Sequence, residues 1–313
     1  MSKYILKRIG QSLAVLFLVS VFAFILLYMV PGDPVYAMLG GDITREQYDI
    51  AYREMGLDRS VMVRYFGWLF RFVTGDWGKS FKYAMPVVEV IGSRLPVTMF
   101  LGLISVVIGT GFGILLGTVA GKNRGKLSDS FITVCSNLGA VMPVFWLAVL
   151  GMYIFSLKLG WLPSHGFSFA SEPWLMVRQA VLPVISLSVG QICITTRQMR
   201  SGMLEVIRQD YIRTARAKGL KESQVVYRHA IRNAVLPVVT LTGMSIRNVV
   251  AGAVSIEQVF AIAGMGSLLM NGILSKDVAV VQACIMIIAI VVVLSTLIVD
   301  ISYGILDPRI RIK

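Results

Sequence analysis

Few residues in this chain have the type and spacing that chemistry needs. Gly78-Lys79-Ser80 ends like a phosphate-binding loop. That pattern requires a glycine five positions before Gly78, and Val73 stands there. The only histidines, His165 and His229, are far apart, and Cys135, Cys193 and Cys284 show no pairing or metal-ligand spacing. Each cysteine lies in an apolar run and reads as a small buried hydrophobe. Ser186, Ser188, Thr195 and Thr196 read as helix-packing groups rather than nucleophiles. The chain has no zinc-protease helix motif and no Gly-x-Ser-x-Gly. These observations predict no catalytic centre, cofactor or metal on this chain. Arg247 is different, because it sits in the middle of an apolar stretch. An ionisable residue there is expensive unless it faces protein or water. Either it lines a pathway and senses an anionic group, or it pairs with a carboxylate of the same bundle or a partner subunit. A misplaced span boundary is the third reading.

The elements that must position such residues are membrane spans. Of 313 residues, 56% are hydrophobic and only 15% charged, where a soluble domain carries about 25%. Crossing about 30 Å of hydrocarbon takes about 20 apolar helical residues. Six segments qualify: Ile9–Val30, Val97–Ala120, Phe131–Leu157, Gln179–Thr196, Ala234–Ile256 and Val278–Val299. The first is too long for a signal-peptide core and predicts an uncleaved span. Between spans one and two, Met62, Tyr65, Phe66, Leu69 and Phe72 recur at helical spacing, predicting an amphipathic helix on the bilayer or the bundle. Gln258–Asp277 is glycine-rich and apolar enough to dip back toward the membrane.

Charge orients this arrangement. The N-terminal tail carries Lys3, Lys7 and Arg8, and the turn after span two carries Lys122, Arg124 and Lys126. The segment Arg197–Asn233 holds nine basic residues against three acidic ones. All three lie on one side, whereas Pro31–Pro96 on the other side balances eight basic with eight acidic residues. The positive-inside rule makes the basic side, with both termini, cytoplasmic. The formal net charge of +13 thus reflects topology, not a nucleic-acid partner.

Arg197–Asn233 is far longer than a connection needs. Met203, Leu204, Ile207, Tyr211, Ala215 and Ala217 give it helical character, and Gly219 ends it as a glycine cap would. The small residues from Ala215 to Gly219 would let another protein surface approach closely. An amphipathic helix on anionic lipid is the equal alternative at this level. Tyr211-Ile212-Arg213-Thr214-Ala215-Arg216-Ala217-Lys218-Gly219, with Arg232-Asn233-Ala234-Val235-Leu236-Pro237, resembles the cytoplasmic signature of binding-protein-dependent ABC importer permeases. That signature has a Glu-Ala-Ala-x-x-x-Gly core, and its first three positions are here Arg213, Thr214 and Ala215. The wording is that of the dipeptide/oligopeptide/nickel branch. Tyr4 to Arg8, Pro31-Gly32-Asp33-Pro34, Gly56-Leu57-Asp58, Gly75-Asp76-Trp77-Gly78-Lys79-Ser80, Met142-Pro143-Val144-Phe145-Trp146 and Asp307-Pro308-Arg309-Ile310-Arg311 extend the resemblance along the whole chain.

The resemblance implies an all-α integral membrane protein with about six transmembrane helices. A long outer loop follows helix 1, and a cytoplasmic coupling loop, residues 210–222, joins helices 4 and 5. Residues 1–95 would be the N-terminal helix and extracytoplasmic loop, and 96–313 the permease domain. In this reading Asp210, Tyr211, Arg213, Thr214, Ala215, Arg216, Ala217, Lys218 and Gly219 dock on an ATPase. Arg247, Gln191 and Glu257 are the candidate pathway residues. The implied partners are a paralogous permease subunit, two ABC ATPase subunits that bind ATP and Mg, an extracytoplasmic solute-binding protein, and membrane lipid. The implied location is a prokaryotic inner membrane. The cargo would be short peptides, with nickel or a metal chelate as the alternative. An ion-coupled secondary transporter is the rival class, but it needs an intramembrane carboxylate relay that the spans lack. Two departures fall between spans five and six. Glu257-Gln258-Val259-Phe260 is followed by Ala261-Ile262-Ala263-Gly264 without the branch's proline, and Asp277-Val278-Ala279 replaces an Asp-Tyr-Pro.

Overall fold

The computed structural model describes residues 2–29, 33–40, 43–54 and 56–306, and among them every regular element is a helix. Val30, Pro31-Gly32, the segment Asp307–Arg311 and the side chain of Arg247 lie outside the described residues. The chain divides into two compact units, one made of residues 1–97 and 263–313, the other of residues 98–262.

In the first unit, α1 (Ser2–Met29) lies along α14 (Val278–Leu306), and Arg8 Nη1 meets Asp300 Oδ2 at 2.9 Å. Three short helices come after α1: α2 (Pro34–Leu39), α3 (Arg45–Glu54) and α4 (Val61–Val73). The predicted amphipathic helix is α4, but its apolar residues split between two faces. Tyr65 and Phe72 are buried, while Met62 and Phe66 are exposed. Tyr65 fixes α4 to α1, with its hydroxyl 2.7 Å from Ser20 Oγ and its ring edge-on to Phe17 and Phe24. The start of α5 (Val87–Lys122) packs Val87, Val90 and Ile91 against Met265 and Leu268 of α13 (Met265–Leu274) and Val280, Ala283 and Cys284 of α14. Part of the glycine-rich segment Gln258–Asp277 is thus this short apolar helix. The Gly75–Ser80 run is a clasp. Trp77 stacks on Phe72, the chain turns at Gly78 (φ +79°), and Ser80 Oγ donates to Asp277 at the head of α14. Asp277 Oδ1 in turn accepts from Val280 N.

The second unit is built around α8 (Pro173–Val206). The remainder of α5, α6 (Leu127–Val141), α7 (Val144–Gly151) and α12 (Leu236–Val259) surround it. The closest approach is between α5 and α8. Gly109, Gly113, Gly117 and Gly121 come one per turn along α5, facing Gln191, Thr195, Met199 and Met203 at the same four-residue step on α8. A Cβ on these glycines would fall 2.7, 2.4, 2.6 and 2.5 Å from the Cβ of the facing residue. No side chain fits there, so the two helices meet backbone to side chain, as small-residue stripes allow in membranes. Gly139 of α6 comes similarly close to Cys193, with 2.8 Å from a Cβ placed there to Sγ.

Several span boundaries differ from the sequence expectation. Phe131–Leu157 is not one rod, because the axis turns by 105° between α6 and α7. Pro143 causes the break: a proline drives the residue before it out of the helical region, and Met142 has φ −69° and ψ 128°. Beyond α7 the helix loosens to a π-helical stretch, Met152–Lys158. The fourth segment is longer than expected at both ends, since α8 runs unbroken past Thr196 to Val206. The basic loop therefore begins ten residues later than Arg197, because Arg197 and Arg200 are good helix formers and break nothing. Four helices are long and apolar enough to cross a membrane among the described residues, or five if the bent pair is one span. The expected sixth is not among them. Its segment corresponds to α12, 24 residues long, several of whose residues, Arg247 among them, lie outside the described residues. Cys193 and Cys284 are buried as expected, whereas Cys135 is exposed.

The glycine contact is testable. Gly113→Ala is expected to destabilise the folded chain by about 1–3 kcal/mol through overpacking. Gly111→Ala, where a Cβ meets nothing within 4 Å, should be neutral or stabilising by up to about 1 kcal/mol. Thermal unfolding of the two variants in the same detergent compares them, and equal midpoints would refute the close approach.

Candidate coupling surface and buried polar residues

The signature segment folds into a helix of its own. After α8 ends at Val206, the chain turns through Ile207 to Gln209 and forms α9 (Asp210–Ala217). One face of it is buried. Ile212 and Ala215 are buried against Met199 and Met203 of α8 and against Val225, Val226, Ala230 and Ala234. The last four belong to the π-helical turns Val225–Ala230 and to α11 (Ile231–Ala234), both continuing from the short α10 (Glu222–Gln224). Ile212 is the deepest anchor of α9, although the helical pattern of the basic segment did not single it out. The signal was its position three residues before Ala215.

Asp210, Tyr211, Arg213, Thr214, Arg216, Ala217, Lys218 and Gly219 are all exposed. Ala215 is the exception among the predicted docking residues, since it faces inward. Gly219 closes the helix at φ +77°, a conformation in which other side chains are strained. Its N–H bonds Arg216 O at 2.9 Å. One contact joins the two halves of the signature, and a second ties α9 to α10. Asn233 Nδ2 donates to Tyr211 Oη at 2.7 Å, and Arg216 forks onto Glu222 at 3.0 and 2.8 Å. The Arg216 hydrogen bonds hold the Glu222 carboxyl below the usual glutamate range and raise Arg216 further. Gly202 of α8 lets α11 approach, since a Cβ there would fall 2.7 Å from Ala234 O.

Of the three candidate pathway residues, Gln191 and Glu257 are described, while the side chain of Arg247 lies outside the described residues. Gln191 is 4% exposed; its Nε2 donates to Thr195 Oγ1 at 3.1 Å and to Thr110 Oγ1 at 3.3 Å. Thr110 Oγ1 lies 3.3 Å from Thr242 Oγ1, so a short hydroxyl chain ties α5, α8 and α12. Glu257, 1% exposed, accepts from Thr98 Oγ1 on α5. Both side chains are packed among helices. The described residues contain no cluster of three His, Cys, Asp or Glu that could hold a metal. One further charged group is invisible to local sequence patterns. Asp129 at the start of α6 is 4% exposed and receives Arg200 of α8 through Nε at 2.6 Å and Nη2 at 2.9 Å. The two stand 71 residues apart, so nothing in the chain near either one announces the other.

Comparison with known proteins decides what this arrangement belongs to. Residues 113–312 match the family described as the binding-protein-dependent transport system inner membrane component, and residues 1–102 match its N-terminal companion. The chain belongs to this family of ABC importer permeases. It is 39% identical over 312 residues to a putative peptide transport system permease of Brucella abortus (strain 2308), covering 99% of both chains. It is 35% identical to the oligopeptide transport system permease protein AppB of Bacillus subtilis (strain 168), covering 99% of this chain and all of that one. Among solved structures, a chain of the MetNI methionine ABC transporter in inward facing conformations matches with a TM-score of 0.53 at 20% identity. That match covers 71% of this permease and 96% of that chain, and it establishes the fold. A membrane permease subunit with several apolar helices is thus the setting in which α9 works.

Glu222 has a pH signature. A carboxyl lowered on folding adds stability above its ordinary value and loses it as pH falls through the lowered value. Acidification should therefore loosen the turn between α9 and α10, by no more than about 1 kcal/mol for so exposed a pair. Amide exchange at Lys218 to Lys221, corrected for intrinsic rate, should show that acid-dependent step in the native chain and not in Glu222→Gln. A step of the same size in both would refute the assignment.

Proposed function

We propose that this permease forms half of a translocation pathway for short peptides and takes its energy from a separate ATPase that docks on α9. The carrying observation is the direction of α9's apolar face. A lipid-binding helix needs that face free to enter the bilayer. Here Ile212 and Ala215 bury it against α8 and the π-helical turns, leaving Tyr211, Arg213, Thr214, Ala217 and Lys218 outward. Such a surface suits a protein groove with acidic groups, not hydrocarbon. The names of the relatives support peptide cargo. No observation favours nickel or a metal chelate.

In this reading ATP and Mg are bound by two ATPase subunits, and a paralogous permease completes the pathway. A solute-binding protein delivers the peptide from outside. Both termini lie in the cytoplasm of a prokaryotic inner membrane, on the side of the basic loop. Movement of the ATPases pushes a helix that is already anchored, so little of the motion is lost to local rearrangement. Arg247 remains the candidate for sensing a peptide carboxylate, beside Gln191 and Glu257.

The test is co-purification from native membranes in mild detergent, with the complex tagged at Lys313. An ATPase should accompany the native chain and be lost from Ala217→Asp, whose exposed site leaves folding intact. Vesicles carrying the native complex should take up labelled short peptides in an ATP-dependent, protonophore-insensitive manner. Full retention of the ATPase by the variant would overturn the docking surface. Uptake of nickel in place of peptides would overturn the cargo.

A further inference from the structure

We propose that Asp129 and Arg200 form the strut that carries movement of the coupling helix into the bent pair α6–α7. This rests on the reading of α9 as the ATPase-docking helix. The pair is built for rigidity. Removing a carboxylate from water costs several kcal/mol unless its lone pairs are filled. Asp129 fills them fully: Arg200 takes both oxygens in a fork, Gly125 N donates to Oδ2 at 3.0 Å, and Thr133 Oγ1 donates to Oδ1 at 3.3 Å. A lysine would satisfy the charge but not the fork.

Its place in the fold gives the strut a load at each end. On α8, Arg200 stands next to Met199 and three residues before Met203. Both methionines are fully buried, and both belong to the cluster that holds Ile212 and Ala215 of α9. The same turn is pressed against α5. A Cβ on Gly117 would fall 3.1 Å from Arg200 N, and one on Gly121 3.4 Å from Arg200 O. Arg200 therefore has no slack along its own backbone. At the other end, Asp129 lies in the first turn of α6, which ends at the 105° break before Pro143. A push on α9 reaches Met199 and Met203 by contact and turns α6 through Asp129. The break at Met142-Pro143 then absorbs the change of angle, as hinges at element ends do. Asp129 and Arg200 are positioning residues, since neither touches cargo or nucleotide.

A strut and a mere staple differ in one readout, the cargo moved per ATP hydrolysed. The experiment uses the whole complex in vesicles, with Asp129→Asn, Arg200→Lys and the exchanged pair Asp129→Arg/Arg200→Asp. ATPase co-purification is scored first. If the native chain brings down no ATPase, the docking reading fails and the strut with it. If the ATPase binds, both single variants should keep it and keep hydrolysing ATP. Their uptake per ATP should fall about tenfold or more, within the usual range of coupling between sites. The exchanged pair should recover part of that loss. Unchanged uptake per ATP in either single variant overturns the proposal. So does loss of both single variants from the membrane without recovery in the exchanged pair, because that is the behaviour of a staple.

Discussion

The contact on which most of the structure depends is the one that four missing side chains allow. In a bilayer there is little hydrophobic gain in bringing helices together, so close packing must supply the attraction. Gly109, Gly113, Gly117 and Gly121 let α5 lie on α8 with no gap to fill. The polar groups near that seam depend on it. Gln191 Nε2 reaches Thr110 because the backbones are so near, and Ser188 Oγ reaches Ser105 O at 3.1 Å for the same reason. A wider spacing would break these interhelical bonds and leave Ser188 and Gln191 only their partners on α8 itself, Val184 O and Thr195 Oγ1. Packing and hydrogen bonding therefore enforce each other along α8.

The seam continues into the segment with the clearest functional meaning. Met199 and Met203 touch the glycine stripe of α5 and also the buried face of α9. Methionine suits such a junction, since its unbranched side chain fills irregular space between two non-parallel surfaces. Helix α9 has only eight residues, too short to persist alone in water. It exists as a helix because α8, the π-helical turns and α11 bury its inner face. Its outer face carries the Tyr211–Asn233 and Arg216–Glu222 contacts and is otherwise exposed.

Much of this is legible in the sequence, and the parts that are not have a common cause. Helical periodicity and composition are local, so the long apolar runs, the helix at Asp210–Ala217 and its glycine stop at Gly219 can be read directly. The face α9 buries is less clear. Tyr211 and Ala217 look as apolar as Ala215, yet the structure exposes both and buries Ile212 in their place. The end of α8 comes later than the pattern suggests because a change from apolar to basic residues looks like the end of a span. Arginine changes the solvent a helix prefers, not its propensity to continue. The break at Pro143 is visible as a proline, but an apolar run on both sides hides it. Distant pairs are out of reach altogether. Asp129 with Arg200, or Ser80 with Asp277, becomes a pair only after the chain has folded.

The Ser80–Asp277 contact shows why a motif must be judged by what its atoms do. Gly78-Lys79-Ser80 has the letters of a phosphate-binding loop, in which backbone N–H groups at a helix start face an anion. Here the anion is internal. Asp277 is fully buried and accepts from Ser80 Oγ, from Lys82 N at 3.4 Å and from Val280 N at 3.3 Å. Its carboxylate sits at the N-terminal end of α14, where the helix dipole favours negative charge. Ser80 Oγ also accepts from Tyr83 N at 3.0 Å, which fixes the hydroxyl proton toward Asp277. The clasp thus ties the segment before α5 to the start of α14 by chemistry alone, 197 residues apart. Gly78 turns the chain directly above Ala279, with only 3.6 Å from a Cβ placed on Gly78 to Ala279 Cβ. The Asp277 cap, filled by Ser80, Lys82 and Val280, is the fixed point of this contact.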